Sequence, residues 1–242
     1  NKVKPDFVFL YRCSMIYPEI VKQISEVATV FSYHNDDPFK MRPNRRSDKF
    51  YRESLQYCKI NYVYRFKNIC DLESMGLYNG KILLPYYIEG RNFYINCNKD
   101  IPIAFIGHWE DDGRDDVVKA LNDANIGFQL YGSEESWHKS KYWSKLQYIF
   151  HGEVRQEAYN VLLNRTSVCI VLFSHMNHDT YTRRCFEIPS VRGVMLSEYT
   201  DDMNRMFPEN VASVYFRSKE EVVEKAKYLL ANEKVRKSIS DN

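Results

Sequence analysis

Short apolar runs of strand character alternate with amphipathic helical patterns from one end of this chain to the other, and no other feature constrains its fold as strongly. Read in order, strands are expected at Asp6–Tyr11, Thr29–Tyr33, Asn61–Arg65 and Lys81–Pro85, with helices at Pro18–Val27, Asp48–Cys58 and Asn68–Met75 between them. After a polar, irregular stretch from Glu89 to Asp100 the pattern restarts. Strands are expected at Ile103–Ile106, Phe128–Tyr131, Tyr148–Phe150, Val168–Phe173, Val194–Ser197 and Ala212–Phe216. Between and after them come helices at Arg114–Asn125, Arg155–Arg165 and Arg183–Val191, a short helix ending at Phe207, and a long final helix opened by the capping box Ser218–Glu221. Strand, helix and strand at this spacing mark parallel sheets covered by helices. The expected class is therefore α/β, with two Rossmann-like lobes at residues 1–97 and 98–242. The first lobe is expected to be partial, since the chain opens on Asn1 and not on Met.

Composition narrows the function. Lys and Arg number 34 against 32 Asp and Glu, a net charge of +2, which argues against a nucleic-acid binder with its strongly basic footprint. Apolar residues at 44% and charged residues at 27% place the chain among globular proteins. No apolar run approaches the ~18–20 residues of a spanning helix, and no apolar core follows Lys2 and Lys4 to make a secretory signal. Cysteines 13, 58, 70, 97, 169 and 185 form no Cys-x-x-Cys pair and read as reduced thiols. The expected location is the cytoplasm, with membrane contact at most peripheral. No Gly-x-Gly-x-x-Gly follows the first strand of either lobe, which argues against a nicotinamide enzyme.

In such sheets ligands gather outside the carboxyl ends of the strands, so the loops after Tyr33, Ile106, Tyr131, Phe150, Phe173 and Ser197 hold the candidates. Gly107 and His108 close the first strand of the second lobe, where a backbone without a side chain can approach a phosphate. The neighbouring Glu110, Asp111, Asp112, Asp115 and Asp116 are expected to cap the next helix and complement its dipole. Asp179 and Glu187, with seven residues between them, could each accept hydroxyl donors of a sugar diol. Arg183 and Arg184 lie between those acids and could clamp phosphate oxygens. A helix cap with surface ion pairs fits the same residues equally, and spacing alone leaves both readings open. In His34-Asn35-Asp36-Asp37-Pro38, Asp36 is a candidate acceptor-side base or contact, or else part of an Asx-type turn. The basic residues Lys40, Arg42, Arg45, Arg46, Lys49 and Arg52 make either a solvated face or a seat for an anionic acceptor. His175 and His178 beside Asp179 lack the further ligands of a zinc site, and no metal is expected. Tyr86, Tyr87 and Trp137 lie near loop ends where a ring could stack on a base or sugar.

The run Asp179-Thr-Tyr-Thr182-Arg-Arg184-Cys-Phe-Glu187-Ile-Pro-Ser-Val-Arg-Gly193, followed by Met-Leu-Ser-Glu198-Tyr-Thr200, resembles the CgeB-type (spore maturation protein-like) glycosyltransferase family. Phe-Ile-Gly107, Leu-Tyr-Gly132, His151-Gly152-Glu-Val154 and Asn35-Asp-Asp-Pro-Phe39 carry the same resemblance over nearly the whole chain. It implies a GT-B architecture: acceptor on the first lobe, nucleotide-sugar donor on the second, and no catalytic metal. By that similarity Glu187 holds the ribose diol, Asp179 sits near the donor sugar, Gly107 and Arg184 lie by the diphosphate, and Val154 lies beside the base. His108, Gly132, Gly152 and Thr182 belong to the same substrate-binding set, with Asp179, Arg184 and Asp36 as the catalytic group. The first acid here is Asp where related retaining transferases carry Glu, and Arg192 stands where a small residue is usual. Transfer from a UDP-sugar to a hydroxyl of a glycan, glycolipid or protein, with retention, is the activity implied. A nucleotide-sugar epimerase or hydrolase and a non-catalytic sugar-nucleotide-binding subunit are the alternatives.

Overall fold

The computed structural model describes residues 3–40 and 46–242, with Arg46 and Ser47 described by their backbone alone. The chain divides into two compact units, the first ending at Pro85 and the second running from Tyr86 to Asn242.

The first unit runs β1 (Phe7–Tyr11), α1 (Pro18–Ser25), β2 (Thr29–His34), α2 (Arg46–Ser54), β3 (Ile60–Val63), α3 (Lys67–Ser74) and β4 (Gly80–Ile82). Its strands are all parallel and lie in the order β1-β2-β3-β4. Every crossover steps the same way, and right-handed crossovers that step one way put their helices on one face. That face carries Leu10, Val30 and Val63, packed in small clusters with Val21 and Cys58 and with Tyr51, Leu55 and Leu72. The alternate residues point the other way and form a sheet of rings: Phe7 against Phe31, Phe9 against Tyr33 and Tyr62, and Tyr11 against Tyr33. Phe7, Phe9 and Tyr11 on β1 are 70%, 52% and 53% exposed, while Phe31, Tyr33 and Tyr62 are half-buried.

The second unit follows as β5 (Ile101–Ile106), α4 (Arg114–Asp123), β6 (Phe128–Tyr131), α5 (Glu134–Trp137), α6 (Trp143–Leu146), α7 (Gln156–Arg165) and β7 (Thr166–Val171). It continues with α8 (Arg184–Ser190), β8 (Met195–Glu198), α9 (Asp201–Met206), β9 (Val214–Phe216), α10 (Lys219–Ala231) and α11 (Glu233–Asp241). The parallel sheet has the order β6-β5-β7-β8-β9, so strand order reverses between β5 and β7. The core is built on Ile103, Phe105, Leu130, Val168, Ile170 and Leu196, with Leu121, Trp137 and Leu229 from the helices.

Three expectations give way. Tyr148–Phe150 is not a strand: Gln147–Ile149 form a single 3-10 turn, and Phe150 alone bridges to Leu130. Tyr148 is 83% exposed, so the run lacks the two buried faces that a central strand needs. The long final helix is two, broken at Asn232, whose backbone (φ −120°, ψ 81°) is not helical. The join expected at 97/98 falls at 85/86, because residues 86–100 are fastened to α7. Asn160 exchanges two hydrogen bonds with the Phe93 backbone, both of 3.1 Å, and Asn164 accepts from the Ile95 amide at 2.7 Å. Four residues apart on one helix, the two asparagines face the same way. Among the described residues no helix is long and apolar enough to cross a membrane.

Candidate functional site

Three glycines meet at the carboxyl ends of β5 and β6. The Gly107 amide donates to Tyr131 O at 2.9 Å, and the Gly132 amide donates to Gly152 O at 3.0 Å. The buried indole of Trp137 donates to Gly107 O at 2.8 Å. A Cβ on Gly132 would stand 2.1 Å from Gly107 O, so glycine is required there by close approach. Trp137 is therefore a core residue whose N–H props the Gly107 loop, and it is not available to stack on a base. The Gly107 amide is likewise occupied, by the Tyr131 carbonyl. What Gly107 supplies is room: the Arg184 guanidinium lies 3.5 Å from the place its Cβ would fill.

Arg184 opens α8, and Glu187 follows one turn later on the same helix. Glu187 is buried, accepting from the Tyr159 hydroxyl at 2.8 Å and from Arg183 Nε at 2.8 Å. Burial pushes the Tyr159 hydroxyl well above its ordinary range, and the charge of Arg184 opposes that rise. Gly107, Arg184, Tyr159 and Glu187 thus form one cluster that joins β5, α7 and α8. Tyr159 was invisible in the sequence, since nothing local ties it to a residue 28 positions away. Arg183 lies over the ring of Tyr86 at 5.3 Å, so that ring has a partner within the unit. The Thr182 amide meets Cys185 Sγ at 3.5 Å in the turn that starts α8. Asp179 stands earlier in the loop, half-buried, with its amide on Ser174 O at 3.0 Å. Val154 is half-buried just beyond Gly152, whose positive φ of 79° turns the chain there.

The acidic turn after Gly107 does more than cap α4. Asp112 takes Arg114 in a two-pronged pair (2.8 and 2.6 Å), and Arg114 also donates to His108 O and Phe173 O. Asp115 accepts from Ser140, and Asp116 from Tyr142. Glu110 receives His108 at 3.0 Å and the Ser174 hydroxyl at 2.5 Å. Burial pushes its carboxyl up, but the His108 and Ser174 bonds and the Arg114 charge pull it down to about 2. Glu110 and Arg114 thereby tie the β5 loop to the β7 loop at the point where strand order reverses.

In the first unit Asp36 is held by Arg12 at 2.5 Å, and Arg12 itself adopts a left-handed backbone (φ 53°). The amide nitrogen and the carbonyl oxygen of Asp36 both lie 3.1 Å from His34 Nδ1. Burial lowers the basicity of His34, which lies edge-on to Tyr51. Asp37 accepts from the Phe39 amide at 3.0 Å, the Asx turn weighed above. Of the basic stretch, Lys49 pairs with Glu53 and Arg52 donates to Pro38 O, while Arg42, Arg45 and the Arg46 side chain lie outside the described residues.

The second unit also contains a cavity of about 490 Å³ at the carboxyl ends of β7, β8 and β9. None of the residues expected to bind the donor or acceptor lines it, although the loops after Phe173 and Ser197 reach it; its walls include Arg114, Phe173, His175, Glu198, Phe216 and Ser218. Among the described residues no group of three or more His, Cys, Asp or Glu side chains could hold a metal ion.

Two parallel Rossmann-like sheets, the second bearing a glycine–arginine cluster at its strand ends, are the fold of the GT-B glycosyltransferases. The chain belongs to the glycosyl transferase-like family, whose model matches residues 114–242. Among solved structures it is similar to TarM (TM-score 0.73, 10% identity), covering 97% of this chain and 50% of that one. TarM from S. aureus has also been solved with UDP. HepE from Anabaena, in complex with UDP, is similar with a TM-score of 0.70 at 7% identity, covering 97% of this chain and 71% of that one. Sucrose-phosphate synthase from Thermosynechococcus elongatus follows with a TM-score of 0.67 at 11% identity, covering 97% and 67%. At these identities the likeness is one of fold, and the chain spans about half the length of TarM. No curated protein matches the chain.

Proposed function

We propose that this chain is a CgeB-type glycosyltransferase that moves a sugar from a UDP-sugar to a hydroxyl of a glycan, glycolipid or protein, with retention and without a metal. The reading rests on one observation: the Arg184 guanidinium lies against the side-chain-free Gly107, with Glu187 one turn further along the same helix. In the transfer the bond from the sugar's anomeric carbon to the diphosphate breaks, and a bond to the acceptor oxygen forms as the acceptor's proton passes to the departing diphosphate. Negative charge grows on the leaving diphosphate, where Arg184 and the His108 amide would meet it. Glu187 accepts from Tyr159 and Arg183 and still has lone pairs for the two ribose hydroxyls. Gly132, Gly152 and Val154 would flank the base, and Asp179 and Thr182 would meet the sugar. The Arg12–Asp36 pair at the strand ends of the first unit is assigned to the acceptor. Six unpaired cysteines fit the reducing cytoplasm.

A thermal-shift panel of UDP, GDP, dTDP and CMP tests the donor assignment, because a ligand of the folded state raises its apparent stability by about 2.7 kcal/mol at a hundred times its Kd. UDP should raise the melting temperature most, and Arg184→Ala should abolish that shift while leaving the ligand-free melt near wild type. Release of UDP from UDP-sugars in the presence of EDTA is the companion assay. No shift with any nucleotide, or an undiminished UDP shift in the variant, would overturn the reading.

A further inference from the structure

The cavity at the ends of β7, β8 and β9 has a chemistry of its own. At about 490 Å³ it falls within the size range of small-molecule sites. Four carboxylates line it (Asp112, Asp116, Glu198 and Glu220) against three permanent cations (Arg114, Arg217 and Lys219), which leaves one net negative charge with His175 neutral. That balance disfavours a phosphate or other dianion.

The existing partnerships decide which groups can turn to a ligand. Arg114 is held by Asp112 and two carbonyls, Asp116 by Tyr142 and Lys141, and Arg217 by Glu209 while it lies over the Tyr199 ring. Glu198 accepts the Phe173 amide at 2.6 Å on one oxygen and meets His175 Nε2 at 3.2 Å on the other. Both oxygens retain acceptor capacity, and the second ring nitrogen of His175 is not used in that pair. Lys219 stands on the rim, 3.9 Å from Glu220. Acceptors and donors therefore face one space whose floor is the apolar Leu172, Phe173 and Phe216. A sugar ring matches this pattern, because each hydroxyl both donates and accepts and its carbon faces sit on apolar side chains.

We propose that this cavity is a second ligand site that takes a neutral saccharide, with Glu198 accepting from its hydroxyls and His175 and Lys219 donating to them. Burial pushes the Glu198 carboxyl above its ordinary range, so hydroxyl donors would stabilise its charged form. The site is separate from the donor cluster, since Gly107, Arg184 and Glu187 do not line it.

Saturation-transfer NMR with glucose, galactose and N-acetylglucosamine, each added to the whole chain, tests the site. At least one of these sugars should bind, and neither UDP nor inorganic phosphate should displace it. The double variant His175→Ala/Lys219→Ala removes two exposed side chains, and Glu198→Gln keeps the shape of the acid. Each should weaken the sugar about tenfold or more, the effect of losing one hydrogen bond to a charged group. Absence of binding by all three sugars, displacement by UDP or phosphate, or wild-type affinity in either variant would overturn the proposal. Sugar binding in a protein that no nucleotide stabilises would sink the donor assignment and leave this one standing.

Discussion

Replacing Gly132 with alanine is expected to destabilise the second unit severely, because the new methyl would meet main chain and has no flexible neighbour to displace. Its carbon would lie 2.1 Å from Gly107 O and 2.9 Å from both Gly107 C and Trp137 Nε1. Overpacking a well-filled site costs about 1–3 kcal/mol. Parting Trp137 from Gly107 O leaves a buried donor unpaired, for about 1–3 kcal/mol more. A loss of roughly 2–6 kcal/mol follows, a large share of the ~5–15 kcal/mol of an ordinary domain. With a urea slope of about 2 kcal/mol per molar, the midpoint should fall by roughly 1–3 M. Tryptophan fluorescence suits the assay, since Trp109, Trp137 and Trp143 all belong to the second unit and report its unfolding alone. Gly90→Ala is the matched control: its Cβ would meet nothing within 4 Å, so a change below about 0.5 kcal/mol is expected. A Gly132→Ala midpoint equal to that control would refute the close-approach argument and, with it, the account of how β5, β6 and the Gly152 turn are locked.

Tyr159→Phe should cost about 1.5–3 kcal/mol in the same melt by removing a hydrogen bond to a buried carboxylate, and it should weaken UDP in the thermal-shift assay. Glu110 titrates at about 2 against an ordinary 4.5, so its contribution to stability is complete above about pH 4.5 and is lost as pH falls through 2. Glu110→Gln should therefore be less stable than wild type at pH 7, with the difference closing between pH 4.5 and 2 in urea melts. Asn160→Ala leaves the Phe93 amide without its partner, while the Phe93 carbonyl keeps Asn164, for about 1–3 kcal/mol, and limited proteolysis should cut residues 86–100 faster in that variant.

Sequence carried the strand–helix alternation because each buried strand and each amphipathic helix writes its own period locally. It did not carry contacts between distant residues. The Asn160 and Asn164 clamps hold backbone more than 60 positions away, so a polar stretch that looked like a linker is part of the second unit. Arg12 pairs with Asp36 from the end of the neighbouring strand, a pairing that the turn motif around Asp36 gives no hint of. Spacing to Asp179 singled out Arg184 and Glu187 without deciding between a site and a helix cap, whereas nothing local pointed to Tyr159, which reaches Glu187 only because α7 and α8 both pack on β7. The Tyr148–Phe150 run illustrates the reverse error, in which apolar letters suggested a strand although the outermost ring faces water.

The ring-covered side of the first sheet has a practical consequence. Exposed rings on β1, the edge strand of the sheet among the described residues, make that surface adhesive. Concentrated solutions of this polypeptide should cloud or form reversible clusters with rising salt, and serine at positions 7 and 9 should clear them without disturbing the tryptophan signal.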